Sequence, residues 1–312
     1  MTYCVGMRLN SGLVFLSDSR TNAGVDHIGS FRKMTLFENP SDRIMVLLTA
    51  GNLSISQSIR QTISEYLTPN GTSIWTASSM YEAAQIVGDS IRSVHKRDAE
   101  SLEQFGIDFN VSLVFGGQIR GERCRLFQMY SAGNFIESLD ENPYFQIGES
   151  KYGKPIIDRV IKPDTPLGES KYGKPIIDRV ITPDTPLDEA AKCALISMDS
   201  TLRSNISVGF PLDLLLYDEN ALTISRIVTI DEKNQYFQML RGTWGKQLRS
   251  VFEGIADPVW NAAPEATSNV LSSRDNLNQP ARIVPPASIA RTGSGPAPLQ
   301  TLAQGDHNKA EY

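Results

Sequence analysis

The chain is poor in the residues that carry most hydrolytic and metal chemistry. Three histidines, His27, His95 and His307, are scattered through 312 residues. Neither a metal-ligand grouping nor a Ser-His-Asp arrangement is expected from them, and no cofactor is implied. Three cysteines, Cys4, Cys124 and Cys193, are widely spaced and odd in number, which suits a reducing compartment. There is no run of roughly 18 apolar residues and no charged-then-apolar leader. No membrane contact or export is therefore expected, and the expected location is cytoplasmic. A basic stripe is missing too: the 30 Lys and Arg are dispersed among 35 Asp and Glu, for a net charge of −5, which argues against nucleic acid. With 40% hydrophobic and 21% charged residues, what remains is an ordinary globular composition, long enough for one large core or two modest ones.

The chain's most informative stretch is its first fifty residues. Thr2 to Asn10 is mostly apolar, Ser11-Gly12 turns it, and Leu13 to Asp18 returns, which reads as a hairpin. Phe31 to Phe37 and Arg43 to Ala50 read as third and fourth strands continuing the same sheet before Gly51 ends it. Three residues do not fit a purely structural role. A small residue after Met1 favours removal of that methionine, leaving Thr2 with a hydroxyl and a free α-amine. An α-amine titrates near 7.7–8.0, so it can take the proton of its own hydroxyl directly or through one water. Asp18 ends its strand on the side of Val14 and Leu16, and Lys33 sits between Phe31 and Phe37 on one face of the third strand. Either charge alone would be costly there; as counter-ions they can pair beside the hydroxyl and amine. Taken singly, each of the three reads as a common surface residue, and their order and spacing are what single them out.

Asp18-Ser-Arg-Thr-Asn-Ala-Gly24, the pair Arg32-Lys33, and Ala50-Gly51 closing the next strand resemble the N-terminal half of proteasome β-type subunits, which are N-terminal nucleophile hydrolases. Within that superfamily the N-terminal Thr-Tyr-Cys-Val and the run Ser197 to Gly209 resemble the bacterial ancestral β-subunit group, Anbu. The resemblance spans Thr2 to about Trp260. It implies an α+β fold, a four-layer αββα sandwich of two antiparallel sheets, and threonine-type peptidase chemistry. In it Thr2 is the nucleophile, Asp18 and Lys33 its activating pair, and the backbone N–H of Gly51 an oxyanion donor. It also implies a homo-oligomer, a ring or an open helical stack, acting on a peptide or other amide substrate. Two departures stand out: Gly148-Glu149 where proteasome β-subunits carry Gly-Ser, and Asn205, Ser207 and Gly209 where they carry Asp-x-x-Ser-Gly.

Later in the chain, Ile55, Ile59, Ile63 and Leu67 recur every four residues and predict a helix over 53–67. Ser79-Met-Tyr-Glu82 has capping-box form and predicts a second helix running to His95. Ile107 to Phe115, a turn at Gly116-Gly117, Cys124 to Tyr130 and a short strand near Tyr144 to Ile147 predict a second sheet. Thr185-Pro186 is expected to cap a helix carrying the stripe Leu187, Ala191, Leu195, Met198 and Leu202. A hairpin of 211–217 and 221–230 comes next, then a last helix marked by Phe237, Leu240, Trp244, Leu248 and Val251.

Residues 148–167 recur at 168–187 with one change, Lys162 against Thr182. Two nearly identical copies do not make a solenoid, which needs three or more diverged units. The pattern reads as a local duplication, its surplus copy expected as a helical insertion at the surface. The domain is expected to span 2–260. From 261 to 312 the chain is rich in Pro, Ala, Ser, Asn and Gly without apolar periodicity, and disorder is expected. Two functional classes remain open: a self-compartmentalising threonine peptidase or related amide-bond enzyme, and a catalytically weak assembly subunit.

Overall fold

The computed structural model describes residues 2–23, 27–65, 67–148 and 183–257. The opening hairpin is present: β1 (Tyr3–Leu9) and β2 (Gly12–Asp18) pair antiparallel and every residue of both is buried. A strand buried on both faces must be covered on both, and this one is. Tyr3, Val5 and Met7 belong to one apolar cluster, while Cys4, Leu13 and Phe15 belong to another.

The assignment of strands to sheets differs from the expected one. The sheet of β1 and β2 has the order β10-β1-β2-β11-β12, where β10 is Tyr144–Gly148, β11 is Leu212–Asp218 and β12 is Arg226–Ile230. The third and fourth runs, β5 (Met34–Asn39) and β6 (Arg43–Gly51), do not continue it. They join β7 (Val111–Ile119), β8 (Arg125–Met129) and β9 (Phe135–Glu137) in a second five-stranded sheet of order β5-β6-β7-β8-β9. Between them β3 (Arg20–Ala23) and β4 (His27–Ser30) form a two-stranded sheet that has no clear alternation in sequence. These strand pairs are all antiparallel. Gly116 and Gly117 do not turn the chain but lie inside β7. A Cβ on Gly116 would come within 2.7 Å of Leu126 and 3.0 Å of Phe15, and one on Gly117 within 2.1 Å of the Ile44 carbonyl. Gly116 lets Phe15 of the other sheet approach and Gly117 lets the paired strand β6 approach, and the reversal falls at 120–122.

Among the described residues there are four helices. α1 (Leu53–Glu65) and α2 (Met80–Gln104) pack on the β5–β9 sheet, burying Ile55, Ile59, Ile63, Met80, Val87 and Ile91 in one cluster with Leu47, Phe115 and Phe127. Leu67 falls outside α1 and is exposed. The Ser79 cap is real: its hydroxyl accepts the Glu82 N–H at 3.1 Å, while the Glu82 carboxylate accepts from Ser78, one residue earlier than the capping-box pattern. The helix runs well past His95, because no Gly or Pro follows His95 before Gly106. α3 (Leu187–Ser204) and α4 (Gln235–Glu253) share a second cluster with the β1, β2 and β11 residues that face them. Pro186 rather than Thr185 is the N-cap of α3, its carbonyl accepting from Glu189 and Ala190. A third cluster, with Phe15 and Leu215 from one sheet and Val46 and Leu126 from the other, joins the two sheets. Each fully buried Leu, Ile or Phe in these clusters contributes about 1.5–3 kcal/mol.

Of the tandem copies, the described parts are Gly148 and residues 183–187. Pro183 and Asp184 bond Asn10 at 2.8 and 2.7 Å, and Thr185 and Leu187 are buried. The expected surface insertion and the C-terminal tail both lie outside the described residues.

Candidate active site

The site is assembled where β2 ends against the first residues of β1. Antiparallel register sets Cys4 opposite Ser17, so Asp18 falls beside Tyr3, and the Tyr3 N–H donates to Asp18 Oδ1 at 3.0 Å. Thr2, immediately upstream, is 7% exposed. Lys33 reaches the same carboxylate: its Nζ lies 2.6 Å from Asp18 Oδ1 and also donates to the Arg20 carbonyl at 2.7 Å. Asp18 is 0% exposed and Lys33 5%, so the pair is sealed from water. The two charges singled out by their sequence positions do meet, but Lys33 is not in a strand. It lies in the extended link before β5. Two bonds fix that link. The Phe31 N–H donates to the Ser19 carbonyl at 2.7 Å, and the Thr49 N–H of β6 donates to the Lys33 carbonyl at 3.1 Å.

Burial pushes the Asp18 carboxyl above its ordinary range, opposed by the Lys33 ammonium and by the N–H groups of Tyr3 and Gly209. The Gly209 bond, 3.3 Å to Oδ2, comes from the loop after α3. The Arg20 side chain lies flat against Gly209, where a Cβ would sit 2.2 Å from Arg20 Nε, and donates to the Ile206 carbonyl at 2.8 Å. Arg20 thus holds the loop that supplies the second N–H. Within that loop the Asn205 side-chain oxygen accepts the Ser207 N–H at 2.9 Å. The Tyr3 hydroxyl shares a 2.5 Å hydrogen bond with Ser197 on α3, both buried.

Gly148 abuts Thr2, and Gly51, the expected oxyanion donor, ends β6. Gly148, the last residue of β10, has φ +86, and a Cβ there would lie 1.9 Å from the Thr2 carbonyl oxygen. Gly51, the last residue of β6, has φ +107, with the Asn110 carbonyl 2.4 Å from any Cβ. Neither position tolerates a side chain. The Cys4 thiol lies 3.9 Å from the Thr49 carbonyl, which brings the last residues of β6 near the start of β1. Glu149 lies outside the described residues.

Cys4, Cys124 and Cys193 are buried thiols. Burial raises all three, Cys124 and Cys193 to about 12, so none is a nucleophile at neutral pH. No cluster able to hold a metal ion occurs among the described residues, and none of their helices is long and apolar enough to cross a membrane.

No family model and no curated protein matches the chain. Solved structures do match it. It is 48% identical to Anbu (ancestral beta-subunit) from Yersinia bercovieri, over 83% of this chain and 99% of that one, with a TM-score of 0.71. The chain belongs to the Anbu family. Two further Anbu structures agree. A Gly-1 mutant from Hyphomicrobium sp. strain MC1 is 44% identical over 83% of this chain and all of that one, at TM-score 0.71. A helical assembly of the Anbu complex from Pseudomonas aeruginosa is 41% identical over 84% of this chain and all of that one, at TM-score 0.72. Anbu proteins are proteasome-like members of the N-terminal nucleophile hydrolases.

For an Anbu chain, sequence reasoning picks out the two charges of this site but not the backbone groups that bond Asp18. Tyr3 N–H and Gly209 N–H, the two backbone donors to Asp18, carry no side-chain signature. Gly148 attracts notice in the sequence only through its neighbour Glu149. The signal that could have found it is the glycine itself, at the end of an apolar strand.

Proposed function

We propose that this Anbu chain is a threonine-type peptidase or amide-bond hydrolase in which Thr2, freed of Met1, is the nucleophile. The observation that carries this is the sealed Asp18–Lys33 pair, 2.6 Å apart and bonded through Tyr3 N–H to the residue next to Thr2. A buried pair whose lysine is not exposed contributes little net stability. Its position beside an N-terminal threonine gives it a chemical use. In the proposed cycle the α-amine of Thr2 takes the hydroxyl proton, directly or through one water, and Oγ1 attacks the substrate carbonyl. Lys33 supplies positive charge beside the developing anionic oxygen, and Asp18 holds Lys33 in place. The Gly51 N–H donates to the oxyanion of the tetrahedral intermediate. The protonated amine then gives its proton to the leaving nitrogen, an ester to Thr2 remains, and water resolves it. An amine in place of water would use the same ester and make the enzyme a transferase.

The two five-stranded sheets and the helix pairs clustered on each support a four-layer αββα arrangement. The helical assembly of the Pseudomonas aeruginosa protein supports a homo-oligomer for this chain. A second reading, an assembly subunit with weak catalysis, draws on Asn205, whose oxygen is engaged by Ser207 within its own loop.

The deciding experiment is intact mass after reaction with an epoxyketone or β-lactone. One adduct, mapped to an N-terminal Thr2, is expected. A chain that still begins with methionine, or an adduct elsewhere, overturns the assignment. The buried native thiols make stray labelling at cysteine slow.

A further inference from the structure

We propose that the outer half of α4 is a contact between two copies of this chain, each laying the same apolar stripe antiparallel against the other's. The proposal deepens the homo-oligomer part of the function proposed above and does not depend on the chemistry at Thr2.

One stripe runs the length of α4: Phe237, Leu240, Trp244, Leu248, Val251 and, just past its end, Ile255, at spacings of three and four. Its first part is core, with Phe237 1% and Leu240 5% exposed. Arg241 then ties the helix to the buried Asp199 of α3 and stacks on the Phe237 ring. Beyond that tie the body no longer covers the stripe. Trp244 is half-buried, whereas Leu248 is 44%, Val251 65% and Ile255 66% exposed, with Phe252 beside them at 76%. Lys246 and Glu253 fall on the opposite side of the helical wheel and Arg249 flanks the stripe beside Phe252, so the centre of the stripe carries no charge.

A stripe of this kind continues the core period after the core has ended. Three turns of helix with no packed face are marginal in water, and a contiguous apolar surface of this size marks an interaction site. A partner must be apolar, of helical length, and free of charge at its centre. The same half of α4 in a second copy meets all three conditions. Antiparallel packing opposes the two macrodipoles and leaves each copy's Lys246 and Arg249 facing water. Four or five large apolar side chains from each copy bury on the order of 1,000 Å² in total, the size at which specific interfaces begin. Copies of a relative 41% identical do associate, in the helical assembly from Pseudomonas aeruginosa.

The test uses the full chain. Leu248→Glu with Val251→Glu is expected to lower the mass measured by light scattering to a smaller species. The far-UV spectrum should be unchanged and Tm within a few degrees, since both side chains are exposed. Unchanged mass overturns the proposal. A photo-crosslinking residue at position 248 gives a second readout that needs no destabilising substitution. A crosslinked dimer joined through α4 of both copies supports the contact. A crosslink to residues 258–312, or to any other surface, overturns it and names the true occupant. Adduct formation at Thr2, measured on the same preparations, keeps failure of this contact separate from failure of the peptidase reading. A wild-type chain that is monomeric at every concentration would remove the homo-oligomer along with the contact.

Discussion

At the end of β2, Asp18 is fully buried and its cation, Lys33, is buried with it. At the junction of α3 and α4, Asp199 is 4% exposed, but its two arginines reach water, with side chains 57% exposed for Arg203 and 37% for Arg241. The chemistry is the same, a carboxylate against nitrogen cations at hydrogen-bond distance, and the consequences are opposite. At Asp199 solvent hydrates the cations, the charges are cheap, and the bonds anchor one helix to another. At Asp18 neither ion is hydrated, so backbone N–H groups and a carbonyl must complete the shell. An arrangement that expensive persists where charge is needed out of water, and here that place adjoins Thr2.

The largest expected effects break the buried pair. Lys33→Ala should abolish labelling and turnover. Since the pair is sealed, it should also cost about 3 kcal/mol of stability, read as a fall in Tm. Combining it with Asp18→Asn should recover part of that loss while activity stays absent. A double variant as unstable as the sum of the singles would mean the two charges do not depend on each other, and the contrast with Asp199 would fail. Next comes Gly148→Ala. Its Cβ has no room 1.9 Å from the Thr2 carbonyl, at φ +86, so Thr2 must move. The expected result is a drop in labelling rate of on the order of a hundredfold with a stability cost of about 1–3 kcal/mol. Labelling at the wild-type rate would show that the position of Thr2 is not set by β10.

These residues also mark how much was legible in the sequence. The β1–β2 hairpin, the Ser79 cap and the stripes of α1, α2 and α3 were readable because periodicity and capping are local. Sheet membership was not. β6 is as apolar as β1 and β2, and nothing in the alternation of β5 or β6 says that they pair into the β7 sheet while β10 returns to β1. Asp18 and Lys33 could be picked out because a charge in an apolar run is conspicuous. The N–H of Gly209, 191 residues from Asp18, could not, since every residue but proline owns one. The exposure of the outer half of α4 was not legible either. Its period matches that of a buried helix, and only coordinates reveal that the body ends before the stripe does.

A smaller effect tests the same contrast through pH. Burial raises Asp18 in the folded state, so the folded chain takes up that proton at a higher pH than the unfolded chain does. As pH falls from neutral into the window between the two values, protonating Asp18 favours folding while removing the negative charge that holds Lys33. Labelling of Thr2, already falling as its α-amine takes up a proton, should therefore show a second decline on the acid side above the ordinary carboxylate range, with Tm not falling on account of Asp18. Labelling rate and Tm measured across the same buffers would check it. A second decline only where the fold itself melts would place the cause elsewhere.

The smallest effect belongs to the exposed side of the comparison. Arg203 lies one turn from Asp199 on α3, and its removal leaves Arg241 on the other carboxylate oxygen. Arg203→Ala should cost about 0.3–0.5 kcal/mol, as solvated pairs at this spacing do, with no change at Thr2. Adding Arg241→Ala should cost more than the two singles together, by about 1 kcal/mol or more, because only the double variant leaves a 4% exposed carboxylate without a cation. Urea titration of the four variants gives the coupling directly. Strict additivity would mean that water reaches Asp199 once the arginines are gone. Burial of the carboxylate alone would then not distinguish the two places, and the burial of Lys33 would be left as the whole of the difference.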